Sequence, residues 1–208
     1  MSLLFEAIRV QDGAFRLLEL HAERMNASRK ALLGLDDPIS LRGLTIPDEC
    51  KSGRFKCRIE YGREIERVTF EGYIVALPER FQLVRDDAIQ YSHKLTDRQR
   101  LLALMDSAAP DGIIIVKHGF ITDAYHANIA FSDGERWVTP DTPLLAGRMR
   151  EWLLRTGQIS PATIRDVDLA NFKSFKLINA MLGFEESPEF GIDRIVTRPS
   201  ILSHGHAI

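Results

Sequence analysis

From Gly112 to Phe131 the chain reads G-I-I-I-V-K-H-G-F-I-T-D-A-Y-H-A-N-I-A-F; S-D-G-E-R-W-V-T-P follows from Ser132 to Pro140, and L-L-A-G-R-M-R runs from Leu144 to Arg150. Ile113 to Val116 has the length and β-branching of a buried strand. His118-Gly119 marks a turn, and Phe120 to Asp123 reads as the returning strand. Asn128 to Phe131 is a third short strand, closed at Asp133-Gly134. Leu145 to Arg150 then opens a helix around Gly147. A carboxylate on a sheet and a glycine-led helix start are two parts of a site for an anionic group that also carries a proton.

The flanking chain frames this stretch. Leu3 to Val10 reads as a strand, Gln11-Asp12-Gly13 as a turn, and Ala14 to Arg16 as a second strand. Leu20 to Leu33 reads as a helix that Gly34 stops, with Leu20, Met25, Ala27, Ala31 and Leu32 on the core side. Phe55 to Tyr61 and Arg67 to Leu77 pair as strands, and Pro78-Glu79-Arg80 breaks the pattern. That break divides the chain into a small unit, 1–78, and a larger one, 81–208. Further on, the reading gives a strand at Gln82–Arg85 and a short strand before a helix over Arg98–Ala109. It also gives a strand at Ile164–Val167, a helix across Lys173–Leu182 and a mobile tail at Ser203-His204-Gly205-His206.

Composition narrows the class. With 208 residues, 45% hydrophobic and 27% charged, the chain can bury a substantial core. A net charge of −2 gives no electrostatic case for nucleic acid or an acidic membrane surface. Cys50 and Cys57 fit no zinc or redox spacing and read as reduced thiols of a cytoplasmic protein. No apolar run approaches the roughly 20 residues of a membrane span, and no secretion signal opens the chain. Gly-rich nucleotide loops and a G-x-S-x-G elbow are absent.

Three blocks in order carry a resemblance: Thr122-Asp123 with Asn128-Ile129 and Phe131, then Thr139-Pro140, then Leu145, Gly147 and Arg150. They resemble the class IV aminotransferases, the fold type IV pyridoxal-phosphate enzymes. That group includes branched-chain and D-amino-acid aminotransferases and 4-amino-4-deoxychorismate lyase. Phe5-Glu6-Ala7-Ile8-Arg9 is similar to the family's opening strand, and the likeness runs to about Phe184. It implies a two-domain α/β fold, here with a trimmed first domain, a homodimer, and pyridoxal 5'-phosphate in the cleft between the domains.

Residue by residue, the resemblance makes Lys94, in K-L-T-D-R, the catalytic Schiff-base lysine; otherwise it reads as a surface lysine before a helix. Asp123 stands where the family usually has glutamate against the cofactor's ring nitrogen. Gly147, Arg148 and Met149 form the glycine-led phosphate turn, and Arg24, in H-A-E-R-M, reaches the phosphate from the first domain. Asn179 and Ala180 supply a second phosphate-side turn. The implied activity is transamination of an amino acid or release of pyruvate from aminodeoxychorismate. The other reading is a dimeric homologue that keeps the fold, and possibly the cofactor, without turnover.

Overall fold

The computed structural model describes residues 3–108 and 111–196. The chain opens with β1 (Leu4–Gln11), whose Leu4, Phe5, Glu6, Ile8 and Val10 are buried. Asp12 and Gly13 take positive φ and turn the chain into β2 (Ala14–Phe15). The first helix, α1 (Leu18–Leu33), packs on β1 and ends at Gly34, whose φ of 66° is the left-handed cap that glycine adopts without strain. β3 (Arg54–Tyr61) and β4 (Ile65–Gly72) complete a four-stranded sheet of order β2-β1-β3-β4. β4 thus stops short of the expected Leu77.

The face that α1 buries differs from the sequence reading. Ala27, Ala31 and Leu32 are exposed, while His21, Ser28 and Arg29 go inward with Leu20 and Met25. Apolar spacing fails here because the buried polar groups find partners. His21 meets Glu6, and Arg29 donates to the backbone carbonyls of Asp37 and Arg63.

Beyond Pro78 come β5 (Phe81–Arg85), α2 (Gln99–Ala108), β6 (Gly112–Lys117), β7 (Phe120–Ala124), β8 (Asn128–Ser132) and β9 (Trp137–Pro140). These are followed by α3 (Arg148–Arg155), β10 (Ser160–Ala162), β11 (Ser174–Ile178), β12 (Phe190–Gly191) and β13 (Ile195–Val196). The strands make one sheet of order β13-β5-β6-β7 and another of order β10-β9-β8-β11-β12. β5 and β6 run parallel with α2 in the crossover, and β6 turns into antiparallel β7 at His118-Gly119. One apolar cluster draws on both sheets, with Phe81 edge-on to Phe175 at 5.1 Å.

Three expected elements are corrected. Ile164–Val167 is not a strand; β10 lies earlier, and Asp166–Asn171 is a 3-10 helix whose Asp168 carboxylate accepts the Arg165 N–H at 3.0 Å. Lys173–Leu182 is not a helix. β11 pairs with β8 from Ser174↔Ser132 to Ile178↔Asn128, with Phe175, Leu177 and Ile178 all buried. A strand buried on both faces shows no polar alternation, so its apolar run reads equally as a helix. Tyr91 to Arg98 forms no strand either; only Leu95 bridges to Leu4.

Cys50 and Cys57 are buried free thiols. Among the described residues no helix is long and apolar enough to cross a membrane. The Ser203–His206 segment lies outside the described residues.

Candidate active site

A cavity of about 310 Å³ takes its walls from β1 and β3, the loop before α2, the β7–β8 connection and the start of α3. Lys94, Arg24 and Asp123 line it. So do Gly147, Arg148, Asn179 and Ala180. Met149 does not; its side chain packs beside Ala130, Leu153 and Ile178, which leaves only its backbone facing the helix start.

Asn128 holds one wall together. Its Nδ2 donates to Asp123 Oδ1 at 2.6 Å and to the Leu145 carbonyl at 2.9 Å, while its Oδ1 accepts the Gly147 N–H at 3.1 Å. The Leu145 N–H completes the grip on Asp123 Oδ2 at 2.9 Å. A Cβ at Gly147 would overlap Asn128 Oδ1, so glycine is required by this close approach. Arg150 ties the Thr139-Pro140 block to α3 through Thr139 Oγ1 at 3.3 Å and the Pro140 carbonyl at 2.8 Å. The three sequence blocks are therefore one hydrogen-bonded unit. Burial lifts the Asp123 carboxyl from 3.8 to about 7, against the Leu145 and Asn128 donors and the charge of Arg150.

The opposite wall is cationic. Arg24 grips Glu6 with Nε at 2.8 Å and Nη2 at 2.5 Å, and its Nη1 reaches the Ala146 carbonyl at 3.3 Å. His21 Nδ1 lies 2.7 Å from the same Glu6 carboxylate. Burial pushes Glu6 up, but the Arg24 charge and the bonds from His21 and Arg24 outweigh it and hold the carboxyl well below its usual range. Arg148 is buried, bonds the Leu20 and Ala146 carbonyls at 3.3 and 2.6 Å, and has an Nε with no partner. Gly147 caps α3 with no side chain on the first-turn amides. Two guanidiniums and an uncapped helix start thus converge on Ala146–Gly147.

Lys94 is held from outside its own segment. Its carbonyl accepts the Phe5 N–H at 3.0 Å, and its Nζ lies over the Phe5 ring at 4.7 Å. Burial first, then the charge of Arg24 with help from Arg98 and Arg58, brings its amine down from 10.5 to about 7 despite Glu6. An amine tuned this way is a usable nucleophile and proton carrier at neutral pH.

The Asn179 side chain is spent on its own turn. Its Oδ1 accepts the Met181 and Leu182 N–H groups at 2.8 and 2.9 Å, and its Nδ2 donates to the His126 carbonyl at 3.2 Å. The cavity also contains residues to which the sequence reading assigned no role: Lys56, Arg58, Tyr91, Arg98, Tyr125 and His126. Lys56 and Arg58 sit two apart on β3, the spacing that puts both on one face, and this was the available signal. Glu6 and His21 lay inside motifs already noticed, yet nothing in the sequence paired them.

The family model described as amino-transferase class IV matches residues 80–185. The chain belongs to the class IV aminotransferase family. The class IV match takes in Lys94, Asp123, Asn128, Gly147 and Asn179, whereas Glu6 and Arg24 precede it. An uncharacterized protein of Haemophilus influenzae is 36% identical over 186 residues, 86% of this chain and 98% of the relative. The crystal structure of a candidate 4-amino-4-deoxychorismate lyase from Haemophilus somnus matches with a TM-score of 0.78 at 29% identity, over 88% of this chain and 98% of that one. A hypothetical aminotransferase of Mycobacterium tuberculosis, solved in a PLP-bound form, matches with a TM-score of 0.68 at 16% identity, over 91% and 80%. At that identity the likeness is one of fold. The architecture is the two-domain α/β fold of type IV.

Proposed function

We propose that the cavity binds pyridoxal 5'-phosphate and that the protein is an enzyme acting on a small amino-bearing carboxylic acid. The reaction is transamination or pyruvate release from 4-amino-4-deoxychorismate. One observation carries the reading: three features share a single cavity. They are an amine brought to about 7, a buried carboxylate raised to about 7, and an uncapped, glycine-led helix start beside two guanidiniums. These groups fit the cofactor's aldehyde, its protonated ring nitrogen and its phosphate in turn.

Arg24 Nη1, the Arg148 guanidinium and the first amides of α3, including that of Met149, would hold the phosphate. The Asn179-Ala180 turn would close the same end through its backbone. Asp123 would accept the ring N–H, and Lys94 would carry the cofactor. When bound, pyridoxal phosphate supplies the sink for electrons left at the substrate carbon. The chain's own part is positional and protic. Glu6 holds Arg24 in place, Asn128 aims Asp123, and Lys94 Nζ moves a proton between substrate carbon and acceptor. The proposal includes two units, 1–78 and 81–208, flanking the cleft, and a cytoplasmic homodimer. The resemblance supports the two units and the homodimer, and the free thiols of Cys50 and Cys57 support the cytoplasm.

The test is to mix purified protein with pyridoxal phosphate, reduce with borohydride and map the peptides. The pyridoxyl group should appear on Lys94, with visible absorbance before reduction. An adduct on another lysine, or none at saturation, overturns the reading. A panel of L- and D-amino acids, run beside pyruvate release from aminodeoxychorismate, then separates the two reactions. Cofactor held on Lys94 with no turnover in any arm returns the non-catalytic homologue.

A further inference from the structure

The Glu6 carboxylate is fully buried on β1 and meets His21 and Arg24, three residues apart on α1, the spacing that puts both on one side of a helix. Arg24 forks onto it, Nε to Oε1 at 2.8 Å and Nη2 to Oε2 at 2.5 Å. That leaves Nη1 as the nitrogen turned to the Ala146 carbonyl, at the start of α3. His21 Nδ1 lies 2.7 Å from Oε2. An ionised carboxylate only accepts, so Nδ1 carries the proton. Burial keeps the ring neutral, against the bond and charge of Glu6, and the charges of Arg24 and Arg148 add to the push. Nε2 is then a bare acceptor, buried and without a partner among the described residues.

A side chain kept for packing alone would not strand that acceptor, because an unpaired buried polar atom costs its full desolvation and an apolar residue would fill the place without it. What the imidazole contributes is its bond to Glu6. The last torsion of a glutamate is broad, so a fork by itself can swing together with its carboxylate. A third donor on Oε2, from a ring fixed in a buried site, stops that swing and keeps Nη1 at Ala146. We propose that His21 is a positioning residue, which aims Arg24 at the phosphate end of the cavity by holding the Glu6 carboxylate in one orientation. Leu20, one residue earlier, accepts Arg148 Nη1 at 3.3 Å, so one turn of α1 steadies both guanidiniums that meet the Ala146–Gly147 corner. The inference rests on the proposed reading of that corner as the phosphate site.

The experiment titrates the full-length protein with pyridoxal phosphate and with pyridoxal, which lacks only the phosphate, and follows the visible absorbance. His21→Leu should weaken pyridoxal phosphate about tenfold and pyridoxal less than about twofold, the scale of a lost hydrogen bond to a charged group. A general loss of structure would weaken both ligands together. His21→Asn, whose amide nitrogen stands in for Nδ1, should recover most of the phosphate preference. In the unaltered protein, ring-nitrogen NMR should show His21 neutral and protonated at Nδ1 across about pH 6–8. Inorganic phosphate should shift that resonance, a readout that remains even if His21→Leu does not fold. Equal losses for the two ligands, no loss for either, His21→Asn as weak as His21→Leu, an imidazolium at neutral pH, or a His21 resonance indifferent to phosphate would each overturn the inference. Borohydride trapping on Lys94 is read separately. Trapping with a phosphate preference unmoved by His21→Leu rejects His21 alone, whereas no trapping in the unaltered protein rejects the cofactor reading and the role of His21 with it.

Discussion

Glu6 on β1 and Asp123 on β7 are both buried carboxylates on strands that border one cavity, and they are held in opposite states. Glu6 meets a guanidinium and an imidazole, and is kept ionised far below its usual range. Asp123 meets an amide and a backbone N–H, and burial lifts it to about 7. The difference lies in the partners. Neutral donors orient a carboxylate without repaying the desolvation of its charge, whereas a guanidinium does both. Glu6 is therefore a finished ion pair that fixes Arg24. Asp123 is an unfinished one, ready for a cation supplied from the cavity.

Removing Glu6 should have the largest effect. Glu6→Gln leaves Arg24 in its buried place without a counter-charge, and urea unfolding should show a loss of about 3–5 kcal/mol. A loss below about 1 kcal/mol would mean that water reaches the pair and the contrast is false.

Asp123→Asn should act on rate instead. Turnover should fall about 100- to 1000-fold, about 2.7–4 kcal/mol in the barrier, while cofactor still attaches to Lys94. Asp123→Glu, at the family's usual length, should retain activity. In the cofactor-free protein the same carboxyl sets a pH dependence of known sign. Between its ordinary 3.8 and its folded value of about 7, the folded state binds more protons at Asp123 than the unfolded state. That contribution therefore falls as pH rises through this window. Lys94 acts the other way, because its amine is lowered from 10.5 to about 7, so its contribution rises with pH above about 7. Unfolding measured across pH for Asp123→Asn and Lys94→Met should lose one slope each. An unchanged slope in Asp123→Asn would place that carboxyl near its ordinary value.

A smaller effect is expected at Arg24. Arg24→Ala should weaken pyridoxal phosphate by about 1.5–3 kcal/mol, the range for a hydrogen bond to a charged group. Because it also strands Glu6, affinity must be compared with Glu6→Gln/Arg24→Ala, which removes both charges. If the double variant recovers full affinity, Arg24 supports the fold and not the phosphate.

The smallest effect should be at Glu186. It bonds Arg9 at 2.6 and 2.7 Å and Arg54 at 3.0 Å, joining the small sheet to the segment after Ala180, but its side chain is 39% exposed. Glu186→Gln should cost under about 1 kcal/mol and the loss should shrink in high salt. A cost near that of Glu6 would mean that exposure does not set the worth of these pairs.

The motif-bearing stretch was legible because its signals are local. His118-Gly119 needs positive φ, Ile113–Val116 forms the buried core of β6, and Gly147 stands where no Cβ fits. Lys94, Arg24 and Asp123 were found through motif order, and the cavity does bring them together. β11 was misread because burial on both faces erases periodicity, and the inner face of α1 was misread because it is polar. Arg98 was visible within K-L-T-D-R, but that its buried Nε would find no partner among the described residues was not.

By itself, then, the sequence determined the family, the succession of most strands and helices, and which side chains were candidates for chemistry. Turn chemistry, strand runs and motif spacing all act within a few residues of each other. Only the tertiary structure decided the charge state of each candidate. Glu6 neutralises Arg24 from another element, Arg148 reaches back to Leu20, and the buried Arg98 Nε has no hydrogen-bond partner among the described residues. Burial and ion pairing depend on which distant segments meet, and that is a property of the folded cavity rather than of any stretch of chain.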